Sequence, residues 1–175
     1  MLSSVLIAYA TRGGSTAEVA QALGAAMDDA RVPAEVLPVQ QVNTVTGREA
    51  VILGTPLYMG RFPKEFYRFL QRHHDALLGV RPWMFVLGPT RNRPQDFAAA
   101  RRQAERQMGH YPWLYPKEVQ VFGGRFSMET LPFPFSLLGK LPGNPMKKIP
   151  GEDIRDWTAI RDWGVALARQ IRPAA

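Results

Sequence analysis

The fold is decided by a predicted strand, turn and helix start that read Val5-Leu6-Ile7-Ala8-Tyr9-Ala10-Thr11-Arg12-Gly13-Gly14-Ser15-Thr16. The first six residues form an apolar run rich in strand formers, and residues 17–23 have the apolar spacing of a helix. Glycines in the turn permit positive φ and close backbone approach, and the unpaired amides that begin a helix attract anions. The stretch therefore predicts an anion-binding loop, with Ser15 and Thr16 as hydroxyl donors and Arg12 as a positive charge.

The spacing of this loop excludes two common phosphate-binding motifs. The sequence contains no G-x-x-x-x-G-K-[ST] motif and no G-x-G-x-x-G fingerprint. It resembles instead the FMN-phosphate loop of flavodoxins, T-x-[ST]-G-x-T, which Thr11, Gly14 and Thr16 match. Gly13 departs from that pattern and removes one hydroxyl donor. A plain strand–helix turn of small residues is the alternative interpretation.

The composition is that of an ordinary globular domain. The 175 residues suit one domain spanning 1–175, with 46% hydrophobic and 21% charged residues. No cysteine is present, which excludes disulfides, thiolate catalysis and cysteine-bound zinc or iron–sulfur clusters. The apolar runs are far shorter than the ~20 residues that span a membrane, and no signal peptide is recognisable. We therefore expect a cytoplasmic protein.

The charge balance is strongly basic. Lysine and arginine number 22 against 15 acidic residues, which gives a net charge of +7. Electron-carrier flavodoxins are typically acidic, so the balance favours an acidic substrate or an anionic membrane face. General solubility is the alternative explanation. Nucleic acid is not an expected partner, because no run of basic residues with interleaved aromatics occurs.

The rest of the chain alternates between strand and helix patterns. Further strands are predicted at 32–39, 50–54, 82–88 and 119–126, and further helices at 63–78, 95–108 and 153–171. Prolines place the second strand at an edge, and the continuous apolar run 50–54 indicates a buried parallel strand. The predicted fold is α/β, a doubly wound five-stranded parallel sheet with a long insert before the last helix.

The insert covers about residues 127–151. It is apolar, aromatic and proline-rich with flanking lysines, whereas a crossover connection needs only a few residues. Leu131 to Leu141 is the part predicted to contact a substrate, a quinone or a membrane surface. A long loop packed back on the core is the alternative.

Three loops follow strand ends at the edge where open α/β sheets bind ligands. Tyr58 is the best candidate for stacking on a planar ring, and Gly60 lets a backbone group approach closely. The predicted cofactor-binding residues are Thr11, Arg12, Gly13, Gly14, Ser15, Thr16, Pro56, Leu57, Tyr58, Met59, Gly60, Gly88, Pro89 and Thr90. The arginines predicted to hold substrate carboxylates are Arg61, Arg91, Arg93 and Arg125.

Other chemical constellations are weak. His73 and His74 are adjacent in a predicted helix and do not share one face, and His110 stands alone. We therefore predict no metal site. No serine lies in a G-x-S-x-G elbow, so hydrolase chemistry has no support.

Several marks along the chain point to one family. They are the loop 11–16, the stretch Gly54 through Gly60 with Phe62 after it, Gly123-Gly124-Arg125-Phe126, the segment 127–151 and Asp156-Trp157. Together they resemble the flavodoxin-domain proteins of the menaquinone-dependent protoporphyrinogen IX oxidase (dehydrogenase) family. The segment 127–151 is the most discriminating mark, because short-chain flavodoxins lack it.

The resemblance implies noncovalent FMN and the six-electron oxidation of protoporphyrinogen IX in haem synthesis, with electrons passed to a membrane quinone. The flavin N5 would do the chemistry, so no catalytic side chain is assigned. The basic charge suits two propionates, the apolar insert suits a macrocycle or quinone, and peripheral contact with the inner face of the cell membrane follows. Two alternatives stay open: a basic flavodoxin that carries electrons to a protein partner, and a flavodoxin-fold protein without FMN.

Overall fold

The computed structural model describes residues 5–125 and 152–172. Its strands form one five-stranded parallel sheet in the order β2-β1-β3-β4-β5. They are β1 (Val5–Tyr9), β2 (Ala34–Pro38), β3 (Ala50–Pro56), β4 (Trp83–Leu87) and β5 (Val119–Phe122). The predicted sheet is confirmed, and β2 lies at an edge as expected. The predicted contact segment Leu131 to Leu141, with the rest of the insert, lies outside the described residues.

Helices cover both faces of this sheet. They are α1 (Ser15–Asp29), α2 (Lys64–Arg72), α3 (His74–Val80), α4 (Pro94–Met108) and α5 (Trp157–Ile171). Successive residues of β1 point to opposite faces. Ile7 therefore packs in one core with Leu23 of α1 and Ile160 of α5, while Leu6 packs in a second core with Phe66 of α2. No helix in the described part of the chain is long and apolar enough to cross a membrane.

The register of the central strands brings their carboxyl ends to one edge. Tyr9 of β1 pairs with Gly54 of β3, and Pro56 at the end of β3 pairs with Leu87 of β4. The loops that follow β1, β3 and β4 therefore emerge side by side. This is the edge at which an open α/β sheet binds ligands.

The single helix predicted at 63–78 is interrupted at His73. The His73 N–H donates to the Phe69 carbonyl at 3.1 Å, while the His73 carbonyl accepts from Leu77 at 2.9 Å. Its backbone angles, φ −109° and ψ 22°, depart from those of a helix. The imidazole is buried and packs 4.7 Å from the Phe69 ring. His73 therefore ends α2 and begins α3.

The last helix begins at Trp157 and not at 153 as predicted. Asp156 caps it, since its Oδ1 accepts a hydrogen bond from the Ala159 N–H at 3.0 Å. Asp153 instead forms an isolated antiparallel bridge with Arg125, just after β5. The residues on either side of the insert are thus joined to each other at the carboxyl edge of the sheet.

Candidate functional site

The loop after β1 continues into the first turn of α1. The helix begins at Ser15, two residues earlier than predicted, so Ser15 and Thr16 are helical. Gly14 has φ 82°, a conformation that favours glycine, and its N–H donates to Oγ1 of Thr11 at 3.0 Å. The Glu18 N–H makes the first intrahelical bond, to the Gly14 carbonyl at 3.0 Å. The amides of residues 15–17 precede that bond and are the donors that a helix start offers to an anion.

Thr16 carries a buried hydroxyl that lacks a partner. The residue is 0% exposed, and its Oγ1 has no hydrogen-bond partner among the described residues. Burying an unpaired hydroxyl costs about 1–3 kcal/mol, and such groups are uncommon in native proteins. This hydroxyl is therefore a candidate donor to an oxygen-bearing ligand bound at the start of α1.

The loop after β3 is closed as a tight hairpin. Tyr58 and Arg61 exchange two backbone hydrogen bonds of 2.9 and 3.0 Å. The residues between them have positive φ, 49° at Met59 and 76° at Gly60, as in a type I′ turn. Gly60 faces the side chain of Gln103 on α4, whereas Met59 is 95% exposed. The hairpin therefore holds an apolar side chain out in solvent.

Tyr58 joins the loop after β3 to the loop after β1. The guanidinium carbon of Arg12 lies 5.5 Å from the centre of the Tyr58 ring, within the range of a cation–π contact. Burial raises the pKa of Tyr58, and the Arg12 charge and a hydrogen bond with the Gly13 backbone oppose that rise. The ring predicted to stack on a flavin thus lies against the loop predicted to hold the flavin phosphate.

A cleft of about 380 Å³ lies between the loops after β3 and β4 and the helix α4. It brings together six predicted cofactor residues, Leu57, Met59, Gly60, Gly88, Pro89 and Thr90. The α4 residues that line it were missed at the level of sequence, namely Asp96, Ala99, Ala100 and Gln103. The weak apolar pattern of α4 predicted a charged helix with Phe97 as an anchor, but Phe97 is only partly buried and the buried contacts are made by Ala100 and Ala104.

The four arginines predicted to hold carboxylates do not form one group. Arg91 and Arg93 line the cleft, where Arg93 is ion-paired with an aspartate of α4 at 2.7 Å. Arg61 is exposed at the end of the hairpin. Arg125 does not line the cleft and instead reaches the loop after β1, with its Nη2 3.5 Å from the Gly13 carbonyl.

A buried arginine lies behind the start of α1, and it too was missed. The Arg155 side chain is 2% exposed, and its Nη1 donates to Oε2 of Glu18 at 2.7 Å and to the Ser15 carbonyl at 3.4 Å. Its Nε donates to Asp153 at 2.8 Å, and these hydrogen bonds lower the pKa of Asp153 and raise the pKa of Arg155. The guanidinium lies over the Trp157 ring at 4.5 Å. No local pattern marks this residue, because Glu18 is 137 positions away.

The residues of this edge fit the parts of FMN. The loop after β1 offers helix-start amides, two threonine hydroxyls and Arg12, which is the donor chemistry that a phosphate monoester takes. The orphaned Thr16 hydroxyl lacks the kind of acceptor that a phosphate carries. The neighbouring cleft, at about 380 Å³, lies in the usual range for a small-molecule site. Compared with the FMN-phosphate pattern, the loop has one hydroxyl donor fewer, because Gly13 stands where the pattern has serine or threonine.

The architecture and this edge define the class: a doubly wound α/β protein with a glycine- and hydroxyl-bearing first loop beside a cleft at the strand ends. Residues 6–134, about three quarters of the chain, match the family model described as a flavodoxin domain. The chain therefore belongs to the flavodoxin-domain family. No curated protein matches it in sequence.

Solved structures share the architecture at low identity. Oxidised flavodoxin 1 from Bacillus cereus is 12% identical with a TM-score of 0.54, and the match covers 98% of this chain and 99% of that one. A point mutant of the flavodoxin from Pseudomonas aeruginosa is 16% identical with a TM-score of 0.55, covering 96% and 98%. A putative flavoprotein from Bacteroides eggerthii is 17% identical with a TM-score of 0.53, covering 94% and 97%. These likenesses show the fold alone.

Proposed function

We propose that this protein is an FMN-dependent redox protein. The observation that carries the proposal is the buried, unpartnered hydroxyl of Thr16, which lies in a loop that matches the FMN-phosphate pattern at three positions. Membership of the flavodoxin-domain family supports the same cofactor. When bound, FMN supplies hydride or single-electron transfer at its ring.

In this proposal, one group of residues binds the FMN phosphate and a second group binds the flavin ring. The phosphate would be held by the loop after β1, through Thr11, Arg12, Gly13, Gly14, Ser15 and Thr16. The ring would be held by the loops at the cleft, through Pro56, Leu57, Tyr58, Met59, Gly60, Gly88, Pro89 and Thr90. Tyr58 belongs to the loop after β3 and lies against Arg12 of the loop after β1, so it would place the ring beside the bound phosphate.

The finer proposal is oxidation of protoporphyrinogen IX with a quinone as electron acceptor. Its support is the family resemblance, the net charge of +7 and Arg91, which lines the cleft, whereas the neighbouring Arg93 is already paired with Asp96. Guanidinium groups suit the propionates of that substrate. An electron carrier for a protein partner is the second candidate, and the exposure of Met59 at the cleft favours it, because an apolar tip suits a transient protein contact.

The test begins with the visible spectrum of the purified protein after FMN is added and excess FMN is removed. Retained bands near ~370 and ~450 nm, typical of a bound flavin, are the expected result. Protoporphyrinogen IX is then added without oxygen, and bleaching of the bands followed by recovery with a quinone supports the oxidase.

Each other outcome has a definite meaning. A retained flavin that ignores the porphyrinogen excludes the oxidase and favours the electron carrier. That candidate is then tested by transfer of electrons from the reduced protein to a redox partner protein. A colourless protein that retains no FMN overturns the proposed function altogether.

A further inference from the structure

Arg125 follows β5 and directs its side chain towards the loop after β1. An isolated antiparallel bridge with Asp153 fixes the backbone position of Arg125. Nη2 donates to the Gly13 carbonyl at 3.5 Å, and Nη1 lies 3.4 Å from Oε1 of Glu18. Both contacts are long, and a guanidinium has five N–H donors. Contacts with the described residues therefore leave donors of this group for a ligand, and the side chain is 36% exposed.

The charges around the loop leave a positive excess at this position. Arg155 approaches the Glu18 carboxylate at 2.7 Å, closer than Arg125 at 3.4 Å. Asp153 is likewise held by Arg155, at 2.8 Å from its Nε. Both acids that face Arg125 therefore make their shorter contacts with the buried arginine, whose single charge balances one of them, and Arg125 balances the other. Arg12 adds a further positive charge to the same loop.

Two hydrogen-bonding features of the loop after β1 are incomplete: it has one hydroxyl donor fewer than the FMN-phosphate pattern, and one of its hydroxyls has no partner. Gly13 stands where the FMN-phosphate pattern has a hydroxyl residue, and the buried Thr16 hydroxyl has no partner in the described structure. A phosphate monoester carries close to two negative charges at neutral pH. Hydrogen bonds from a charged donor to such a group are roughly twice as strong as neutral ones. An arginine at the rim would therefore more than replace one missing hydroxyl.

We propose that Arg125 is a ligand of the phosphate bound in this loop and supplies the donor and charge that Gly13 lacks. The guanidinium would exchange its two long contacts, to Gly13 and Glu18, for hydrogen bonds to phosphate oxygens. This role differs from the substrate-binding role predicted from the sequence. It rests on the proposed function, since the phosphate is that of FMN.

The experiment compares a flavin with and without its phosphate. FMN and riboflavin affinities are measured by flavin fluorescence on the wild type, Arg125→Gln, Arg125→Lys and Arg101→Gln. Arg101 is exposed on α4, so its substitution is a control for the loss of one positive charge. Arg125→Gln is expected to weaken FMN binding by about 10–100-fold and to leave riboflavin binding within about 2-fold. Arg125→Lys should retain part of the FMN affinity, and Arg101→Gln should change neither.

The outcomes separate this inference from the proposed function. An unchanged ratio of FMN to riboflavin affinity in Arg125→Gln overturns the inference and leaves the function standing. Equal losses for both flavins mean that Arg125 only supports the fold, which also overturns it. A wild type that binds neither flavin refutes the proposed function, and the inference with it.

Discussion

Arg155 donates a 2.7 Å hydrogen bond to Glu18 across 137 positions of sequence. The bond ties the segment before α5 to the first turn of α1, behind the loop that we assign to phosphate. Because the guanidinium is 2% exposed while the two acids it binds are 45% and 38% exposed, the arginine is the buried centre of the cluster. It holds the start of α1, whose amides we propose as donors to the phosphate.

Replacement of Arg155 by methionine is expected to lower the free energy of unfolding by about 2–3 kcal/mol, because Glu18 and Asp153 lose the cation that they share and then repel each other. The measurement is urea unfolding followed by circular dichroism. Arg161→Met is the matched control on the exposed face of α5 and should stay within about 0.5 kcal/mol of the wild type. A loss as small as that in Arg155→Met would show that the cluster contributes little to stability.

Replacement of Thr16 by valine should separate a ligand hydroxyl from a structural one. Without flavin, Thr16→Val is expected to unfold at the same or a higher urea concentration, because the lost hydroxyl has no partner in the described structure. FMN affinity should fall about 10-fold while riboflavin affinity is kept.

Thr55→Val is the contrasting control for that experiment. Thr55 is 0% exposed, and its hydroxyl donates to the Pro56 carbonyl at 3.3 Å. Its substitution should lower stability by about 1 kcal/mol even without flavin. If Thr16→Val destabilises the flavin-free protein as much as Thr55→Val does, the Thr16 hydroxyl is structural and its assignment to phosphate is lost.

Gly54 is required for packing within the sheet. A Cβ built at Gly54 would overlap the ring of Phe85, its partner on β4, and that ring is 0% exposed. Gly54→Ala is therefore expected to lower stability by about 1–3 kcal/mol. Gly79 lies within α3, and a Cβ there would meet no atom within 4 Å, so Gly79→Ala should instead raise stability by about 0.5–1 kcal/mol. Thermal unfolding of the two variants should move in opposite directions, and a shared direction would contradict this account.

His73 makes stability depend on pH. Burial, aided by the charge of Arg72, lowers the pKa of His73 from its ordinary value of 6.5. Below pH 6.5 the unfolded chain therefore binds a proton that the folded chain does not, so stability falls until the folded pKa is reached. Urea unfolding between about pH 8 and 5 should show this decline in the wild type and a flatter profile in His73→Gln. Parallel profiles would exclude His73 as the source.

Much of the fold could be predicted because its signals are local. The run Ala50–Pro56 is buried throughout, and such parallel strands are continuous apolar runs. The three loops that bear the candidate site follow directly from the strands, since every parallel strand in the sheet ends at the same edge. The glycines of the loop after β1 predicted a turn that needs positive φ, and Gly14 has φ 82°. That this loop binds an anion stays a prediction.

Features that depend on side-chain packing could not be predicted. The apolar pattern across 63–78 is that of one continuous helix, and nothing in it marks the departure of the His73 backbone from helical angles. The sequence did not predict that α4 lines the cleft. Small residues such as Ala100 make that contact, and alanine has no strong preference for core or surface.

The sequence by itself determined the alternation of strands and helices along the chain and the glycine-bearing turn between β1 and α1, because each depends on a periodicity or a turn that spans fewer than about 20 residues. Only the tertiary structure decided which charges surround that loop. Arg125 and Arg155 come to Gly13 and Glu18 because α5 packs beside α1 on one face of the sheet and the residues flanking the insert pair with each other. Contacts between such distant positions follow from helix packing and strand order, which no local pattern encodes.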